Sequence, residues 1–316
     1  MRRWLSFIEA HLLWWVVGVT LLGLCSPAPG LWLAPAIGPL LALLMLLVSL
    51  TFDAHAVKEV LKRPTRPLLA AVLVFGPMSL LGWLTGRAFF GASPLAAGQT
   101  LLGALPTDVS SPLLVMMARG NVAMAAVFNA INTALSPFIV PFLFLWLTGI
   151  ELATPLGAVV GQLVLIVLLP TLLGVALRTR FSRFFARFDG DYAGAGSVIY
   201  LLILLGVVGA NAATLLGYGA YALVVAAAAL CLNLAGYAVG MSARLITRDR
   251  EELIAFLFTA SKKEFGIAAA FVAASKLPAE IAVPAVFFAV IQMITSPLAV
   301  RLLTRRQHLD PQGRDA

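Results

Sequence analysis

Ile254-Ala-Phe-Leu-Phe-Thr-Ala-Ser-Lys-Lys-Glu-Phe-Gly-Ile-Ala-Ala-Ala-Phe-Val272 decides how this chain is read. Two apolar runs flank three adjacent charges, Lys262, Lys263 and Glu264. Neither run alone is long enough to cross a bilayer, which takes about 17–25 apolar residues. Joined, they make one span with charges at mid-depth. Each charge left alone there costs at least ~2.5–3.5 kcal/mol. Such residues persist only with partners or water around them, so the stretch reads as a helix broken at the membrane midplane.

The rest of the chain supplies the membrane. Of its 316 residues 61% are hydrophobic and 11% charged, too little charge to cover a soluble surface of this size. Ten apolar spans are expected, near 9–25, 31–52, 66–90, 94–118, 120–148, 154–178, 193–213, 217–246, 251–274 and 280–304. The expected fold class is an all-α integral membrane protein. Charge placement supports the count. With ten spans, one side of the membrane holds 18 of the 22 lysines and arginines, from Arg2 and Arg3 to Arg301, Arg305, Arg306 and Arg314. The opposite loops hold Arg87 and Lys276 alone. The positive-inside rule then places both termini in the cytoplasm, in a multi-pass protein of a bacterial inner membrane. The net charge of +8 follows this pattern, so nucleic acid is not an expected partner. The lipid bilayer is, and no obligate protein partner is evident. The apolar run after Arg3 reads as a retained helix rather than a cleaved signal. Arg178-Thr-Arg-Phe-Ser-Arg-Phe-Phe-Ala-Arg187 reads as a cytoplasmic loop.

A second interruption lies in the fourth span, at Gly103-Ala-Leu-Pro-Thr-Asp-Val-Ser-Ser-Pro112. Pro106 and Pro112 each remove a backbone donor and disfavour continued helix. The freed backbone and the intramembrane Asp108 point to a cavity-lining break, whose helix ends can hold ions. The whole chain is one transporter domain. It divides into residues 1–150 and 151–306 with a tail at 307–316, and each half carries its interruption in its fourth span. Five spans is an odd number, so the second half enters from the opposite side, as in an inverted repeat. Asn121, Asn129 and Thr133 of the fifth span, Asn233 of the eighth, and Gln292, Thr295 and Ser296 of the tenth are expected to line the same region.

Arg119-Gly-Asn-Val-Ala123, Asn129-Ala-Ile-Asn-Thr-Ala-Leu-Ser-Pro137 and Glu264-Phe-Gly266 resemble the bile acid:sodium symporter family, in order and spacing over nearly all ten spans. The resemblance implies a core of spans three to five and eight to ten beside a panel of one, two, six and seven. Spans four and nine are then discontinuous and cross at the middle. It also implies sodium ligands at Ser111, Asn129 and Glu264. Pro112, Ala125, Ala268, Ala269 and the region of Val74 stand where the family carries further oxygen ligands. The run Leu105-Pro-Thr-Asp-Val-Ser-Ser111 is closer to a divergent branch of the superfamily.

The function expected from these residues is secondary active transport of a small organic anion, coupled to sodium as in the family. The alternative is a proton-coupled or sodium-independent carrier in which Lys262 or Lys263 serves as a fixed cation, paired with Glu264 or Asp108. Glu264, Ser111, Asn129, Ser110 and Asp108 are the expected ion ligands. Thr107, Val109, Asn121, Thr133, Lys262, Lys263 and Gln292 are the expected substrate contacts, with the lysines and free helix N-termini favouring an anion. Na+ or H+ is the coupling ion, and no cofactor is expected. An enzyme is not: the histidines, His11, His55 and His308, lie at ends or loops, and no second intramembrane aspartate accompanies Asp108.

Overall fold

The computed structural model describes residues 11–51, 60, 62 and 64–309. Arg2, Arg3, Lys58, Arg63, His55, Arg314 and the end of the tail lie outside the described residues. Those described are all helical or irregular, with no strand among them.

Among the described residues seven helices are long and apolar enough to cross a membrane. They are α2 (Pro27–Ser49), α3 (Thr65–Phe90), α6 (Val122–Thr148), α7 (Leu156–Arg180), α8 (Asp189–Ala210), α9 (Gly219–Leu245) and α12 (Ala279–Thr304). Each corresponds to one expected span, with ends displaced by a few residues. The largest displacements, four residues, are at the starts of α2 and α8, and at α2 the expected separator Ser26–Gly30 is mostly helical. Pro27 occupies the first helical turn, where a missing N–H costs nothing. Before it comes α1 (Leu12–Cys25), shorter than a full crossing.

The remaining two expected spans are each divided. α4 (Pro94–Ala104) and α5 (Ser111–Met117) flank one break. α10 (Arg250–Ser261) and α11 (Phe265–Ser275) flank the other. Ser93 and Asp249 cap the starts of α4 and α10 through their side-chain oxygens.

The helices pack in two groups. α8 lies against α1 and α2, and α7 against α2. In the second group α3 packs on α4, α9 on α10 and α12, and α6 on α3, α4 and α10. Polarity runs inward. Trp14, Trp32, Phe142, Trp146, Leu172 and Leu223 are exposed, while Thr107, Asp108, Asn132, Asn233, Lys262 and Gln292 are buried. This is the distribution of a chain solvated by lipid.

Small residues let the divided helices sit close to their neighbours. α3 carries Gly82 and Gly86, four residues apart, and a Cβ on either would lie 2.6–2.8 Å from a carbonyl of α4. α9 carries Gly236 and Gly240 with the same spacing, and a Cβ on Gly240 would lie 2.5 Å from the Leu257 Cα of α10. These are small-xxx-small seams, one for each divided helix.

Candidate functional site

The two breaks meet. The Glu264 amide donates to the Pro106 carbonyl at 3.0 Å, and the Asp108 amide donates to the Lys262 carbonyl at 3.4 Å. The two bonds bracket Thr107 on one segment and Lys263 on the other. They form a short backbone clasp in the antiparallel sense.

The clasp is reciprocal in its side chains. Thr107 Oγ1 donates to the Thr259 carbonyl at 2.9 Å, four residues before Lys263. Lys263 Nζ donates to the Gly103 carbonyl at 2.8 Å, four residues before Thr107. Each residue therefore satisfies the C-terminal carbonyls of the opposite helix, groups a broken helix leaves without intrahelical donors. Lys263 Nζ also donates to Leu105 O at 2.8 Å and to Val74 O at 3.2 Å. Val74 lies in the last turn before α3 breaks at Gly76-Pro77. All three N–H bonds of the ammonium are thus spent on carbonyls.

The next residue of each segment is a carboxylate, and the pair is again equivalent. Asp108 Oδ1 accepts from the Ser110 amide at 2.8 Å and from the Ser110 hydroxyl. Glu264 Oε1 accepts from the Gly266 amide at 3.3 Å. Both carboxylates sit at the N-terminal ends of the following helices, α5 and α11, where negative charge is favoured. Glu264 Oε2 crosses to the other segment and accepts from the Val109 amide at 3.3 Å. The helix N-termini at the breaks are therefore occupied by the chain's own carboxylates.

Gln292 of α12 joins both segments. Its amide donates to Asp108 Oδ2 at 3.3 Å and to Lys263 O at 3.2 Å, and its oxygen accepts from the Lys263 amide at 3.1 Å. From α6, Asn129 donates to Asp108 O at 3.2 Å and Asn132 to Thr107 Oγ1 at 3.1 Å. From α9, Asn233 donates to Ser261 O at 2.9 Å and accepts from Thr295. Lys262 Nζ donates to Ser296 Oγ at 3.1 Å and to Gln292 O at 3.4 Å.

A cavity of about 340 Å³ opens on one side of this clasp. Asp108, Val109 and Ser110 form one wall, and Thr51, Tyr192 and Tyr200 belong to the wall opposite. Among the described residues Asp108 is the one Asp, Glu, Lys, Arg or His of the lining, and its side chain is buried. Tyr200 is buried. Ser111 Oγ, beside the first break, is buried with no hydrogen-bond partner among the described residues. A side chamber of about 10 Å³ adjoins this cavity, lined by Ser49, Val109, Asn129, Thr133 and Thr171 among others.

The expected site residues divide accordingly. Asp108, Val109 and Ser110 line the cavity, and Asn129 and Thr133 the side chamber. Thr107, Glu264, Gln292 and both lysines are held inside the clasp, on neither lining. Lys263 is seated on carbonyls and not on Glu264 or Asp108, the partners the sequence suggested. Asn121 lies apart. Its side-chain oxygen caps α6 by accepting from the Met124 amide at 2.9 Å, and its backbone N–H donates to Glu251 O.

Tyr192, Tyr200, Ser49 and Thr171 were not picked out by the sequence. Ser49 and Tyr200 are isolated polar groups in apolar helices, while Thr171 after Pro170 and Tyr192 after Asp191 lie outside the two clusters that mark the breaks. The paired glycines of α3 and α9 are a signal the sequence did carry, since Gly82-x-x-x-Gly86 and Gly236-x-x-x-Gly240 stand in corresponding places of the two halves.

Residues 10–305 match the SBF-like CPA transporter family. The chain is 26% identical over 263 residues to the uncharacterized protein YbaS of Bacillus subtilis, covering 81% of this chain and 85% of that protein. It is 24% identical over 277 residues to the uncharacterized sodium-dependent transporter YocS of the same organism, covering 87% and 85%. Against the human sodium/bile acid cotransporter 4 it is 31% identical over 214 residues, 65% of this chain and 47% of that protein. A helical membrane chain with two divided spans that meet in one buried polar clasp, matched over almost its full length, belongs to the SBF-like CPA transporter family and is a transporter.

Proposed function

We propose that the chain is a secondary active carrier that moves a small organic anion together with a cation. It is built as ten membrane segments in two inverted halves, with the divided helices crossing at the clasp. Both termini face the cytoplasm, in the inner membrane of a bacterium. Reciprocal pairing of Thr107 with Lys263 and of Asp108 with Glu264 supports the two-fold relation. α3 with α4, and α9 with α10, support it again through their glycine seams. The group containing the clasp moves against α1, α2, α7 and α8, and exposes the cavity to each side in turn. Thr51 and Tyr192 of the lining stand close in sequence to the basic stretches at 58–66 and 178–187, which supports an opening toward the side proposed to be cytoplasmic.

One observation carries the coupling. Asp108 belongs to the cavity wall with its carboxyl buried and bonded to Ser110 and Gln292, and among the described residues the wall holds no Lys, Arg or His. An organic anion about 4 Å from that carboxylate is opposed by roughly 4 kcal/mol at an effective dielectric near 20. A cation or proton bound at Asp108 removes the opposition, so anion and cation enter together. The names of YocS and of the sodium/bile acid cotransporters support sodium as that cation. Ser111, Asn129 and Glu264 are the ligands proposed for it, with Ser111 Oγ buried and unpartnered.

A second reading is favoured by Lys263. Its ammonium occupies a cage of three carbonyls, the kind of seat a hard cation takes. A fixed charge there stands in for one mobile ion, which leaves a single mobile cation or proton per cycle. Uptake of labelled carboxylates and bile acids into proteoliposomes under separate sodium and proton gradients tests both readings. Saturable uptake driven by either gradient, and lost in Glu264→Gln, is expected. Single-channel currents, or undiminished uptake by Glu264→Gln, would sink the proposal.

A further inference from the structure

We infer that a second pocket, on the face opposite the proposed cytoplasmic one, binds an amphipathic organic anion, with Arg87 holding its charged end. The pocket itself stands on geometry. The class of its ligand rests on the organic-anion reading above.

The pocket has a volume of about 420 Å³, within the range of roughly 300–1,000 Å³ that holds small organic ligands. It shares no lining residue with the cavity beside the clasp. Its walls come from the end of α3, the start of α4, the end of α6 and the connection between α11 and α12. The floor lies in the protein interior, with exposures of 2% for Thr100, 4% for Ala97 and 2% for Ile281. Gly98 closes it from below, since a Cβ there would lie 2.4 Å from the Ile281 carbonyl. A floor made by two helices in backbone contact belongs to a pocket cut into the protein rather than to a groove on its lipid face.

Charge and hydrogen-bonding capacity select an anion. Arg87 is the one Asp, Glu, Lys, Arg or His of the lining. It is exposed, and among the described residues its guanidinium makes no ion pair or hydrogen bond. Lys276, Glu151 and Glu280 adjoin lining residues in sequence without lining the pocket. Trp83 stands one helical turn before Arg87, on the same face of α3. Ser93 Oγ accepts from the Ala96 amide at 3.3 Å, and its own proton goes to no described residue. The other hydroxyls have spent theirs: Thr100 Oγ1 donates to Ala96 O at 2.9 Å and Thr148 Oγ1 to Phe144 O at 2.6 Å. The side-chain donors left to a ligand therefore belong to Arg87, Ser93 and Trp83. Most of the remaining wall is apolar, with Ile150, Leu277 and Ile281 in it. One fixed positive charge over an apolar space suits a single carboxylate or sulfonate on an apolar body. A guanidinium pairs such a group through two parallel N–H bonds.

The test is quenching of tryptophan fluorescence by para-bromophenylbutyrate, with the full chain in phosphatidylcholine nanodiscs. Bromine quenches an indole that it touches, so Trp83 is the reporter. Wild type is expected to show a saturable component that is absent from Trp83→Phe. Arg87→Gln should raise its half-saturating concentration about ten-fold or more, and Arg87→Lys, which keeps the charge, by less. The neutral para-bromophenylbutanol should bind wild type as weakly as the acid binds Arg87→Gln. Equal half-saturation in wild type and Arg87→Gln, or for acid and alcohol, would overturn the site. So would stabilisation by phosphatidylglycerol that depends on Arg87 while the probe fails to bind, which assigns the pocket to a lipid headgroup. Parallel uptake assays keep this inference apart from the carrier reading. Gradient-driven uptake without quenching that depends on Arg87 overturns the pocket and leaves the carrier standing. Quenching that depends on Arg87, in a chain that carries no anion, does the reverse.

Discussion

Lys263 shows how much a single residue does here. A buried ammonium is costly unless every N–H is satisfied, and its three carbonyl partners come from two elements that break nearby, α3 and α4. Removing the charge leaves those carbonyls facing apolar groups. Lys263→Met is expected to destabilise the chain by about 3 kcal/mol, read as a fall in the melting temperature or denaturation midpoint. Thr107→Val, which loses one cap on α10 and the acceptor for Asn132, should cost less, about 1–2 kcal/mol. If Lys263→Met is as stable as the parent, the carbonyl cage contributes nothing. The charged residues themselves were legible from sequence, because Asp108, Lys262, Lys263 and Glu264 stand out in apolar runs. Their partners were not. A backbone carbonyl has no sequence signature, and the lysines turned out to be held by carbonyls and hydroxyls rather than by the nearby carboxylates. Ser49 and Thr171 were hidden for another reason. Each hydroxyl bonds its own helix four residues back, as hydroxyls on any apolar helix do.

At the scale of elements, the breaks were legible and their joining was not. Prolines and charges located the interruptions to within a residue or two, since Pro106 and the Lys262–Glu264 triplet resist continued helix in a membrane. Pairing of Pro106–Asp108 with Lys262–Glu264 depends on where α4 and α10 are carried, and that is set by packing on α3 and α9. The glycine seams do that work. Gly240→Leu would place a Cβ 2.5 Å from the Leu257 Cα, backbone that cannot yield as a side-chain tip would. We expect it to push α9 from α10, lowering stability by about 2 kcal/mol or more and abolishing uptake. Gly157→Leu on α7, where a Cβ meets nothing within 4 Å, is the control expected to be neutral. Equal melting temperatures for the two variants would show that the seam carries no weight. The α3 seam should behave like the α9 seam, because Gly82 and Gly86 approach α4 as closely.

For the whole molecule, what matters is which charges face the cavity. The sequence suggested lysines and open helix ends ready for an anion. The structure instead keeps both lysines in the clasp and fills the helix N-termini at the breaks with Asp108 and Glu264. An anion entering the 340 Å³ cavity would approach the buried Asp108 carboxyl in its wall, and the proposed coupling to a cation rests on that repulsion. Neutralising that carboxylate should uncouple the carrier rather than kill it. The direct measurement is organic-anion uptake into proteoliposomes by wild type and Asp108→Asn, with imposed sodium or proton gradients and with the gradients collapsed by ionophore. Wild type should accumulate substrate only while a gradient is present, and Asp108→Asn should equilibrate substrate at a rate indifferent to either gradient. Gradient-driven accumulation by Asp108→Asn equal to wild type, or wild-type uptake indifferent to both gradients, would contradict it.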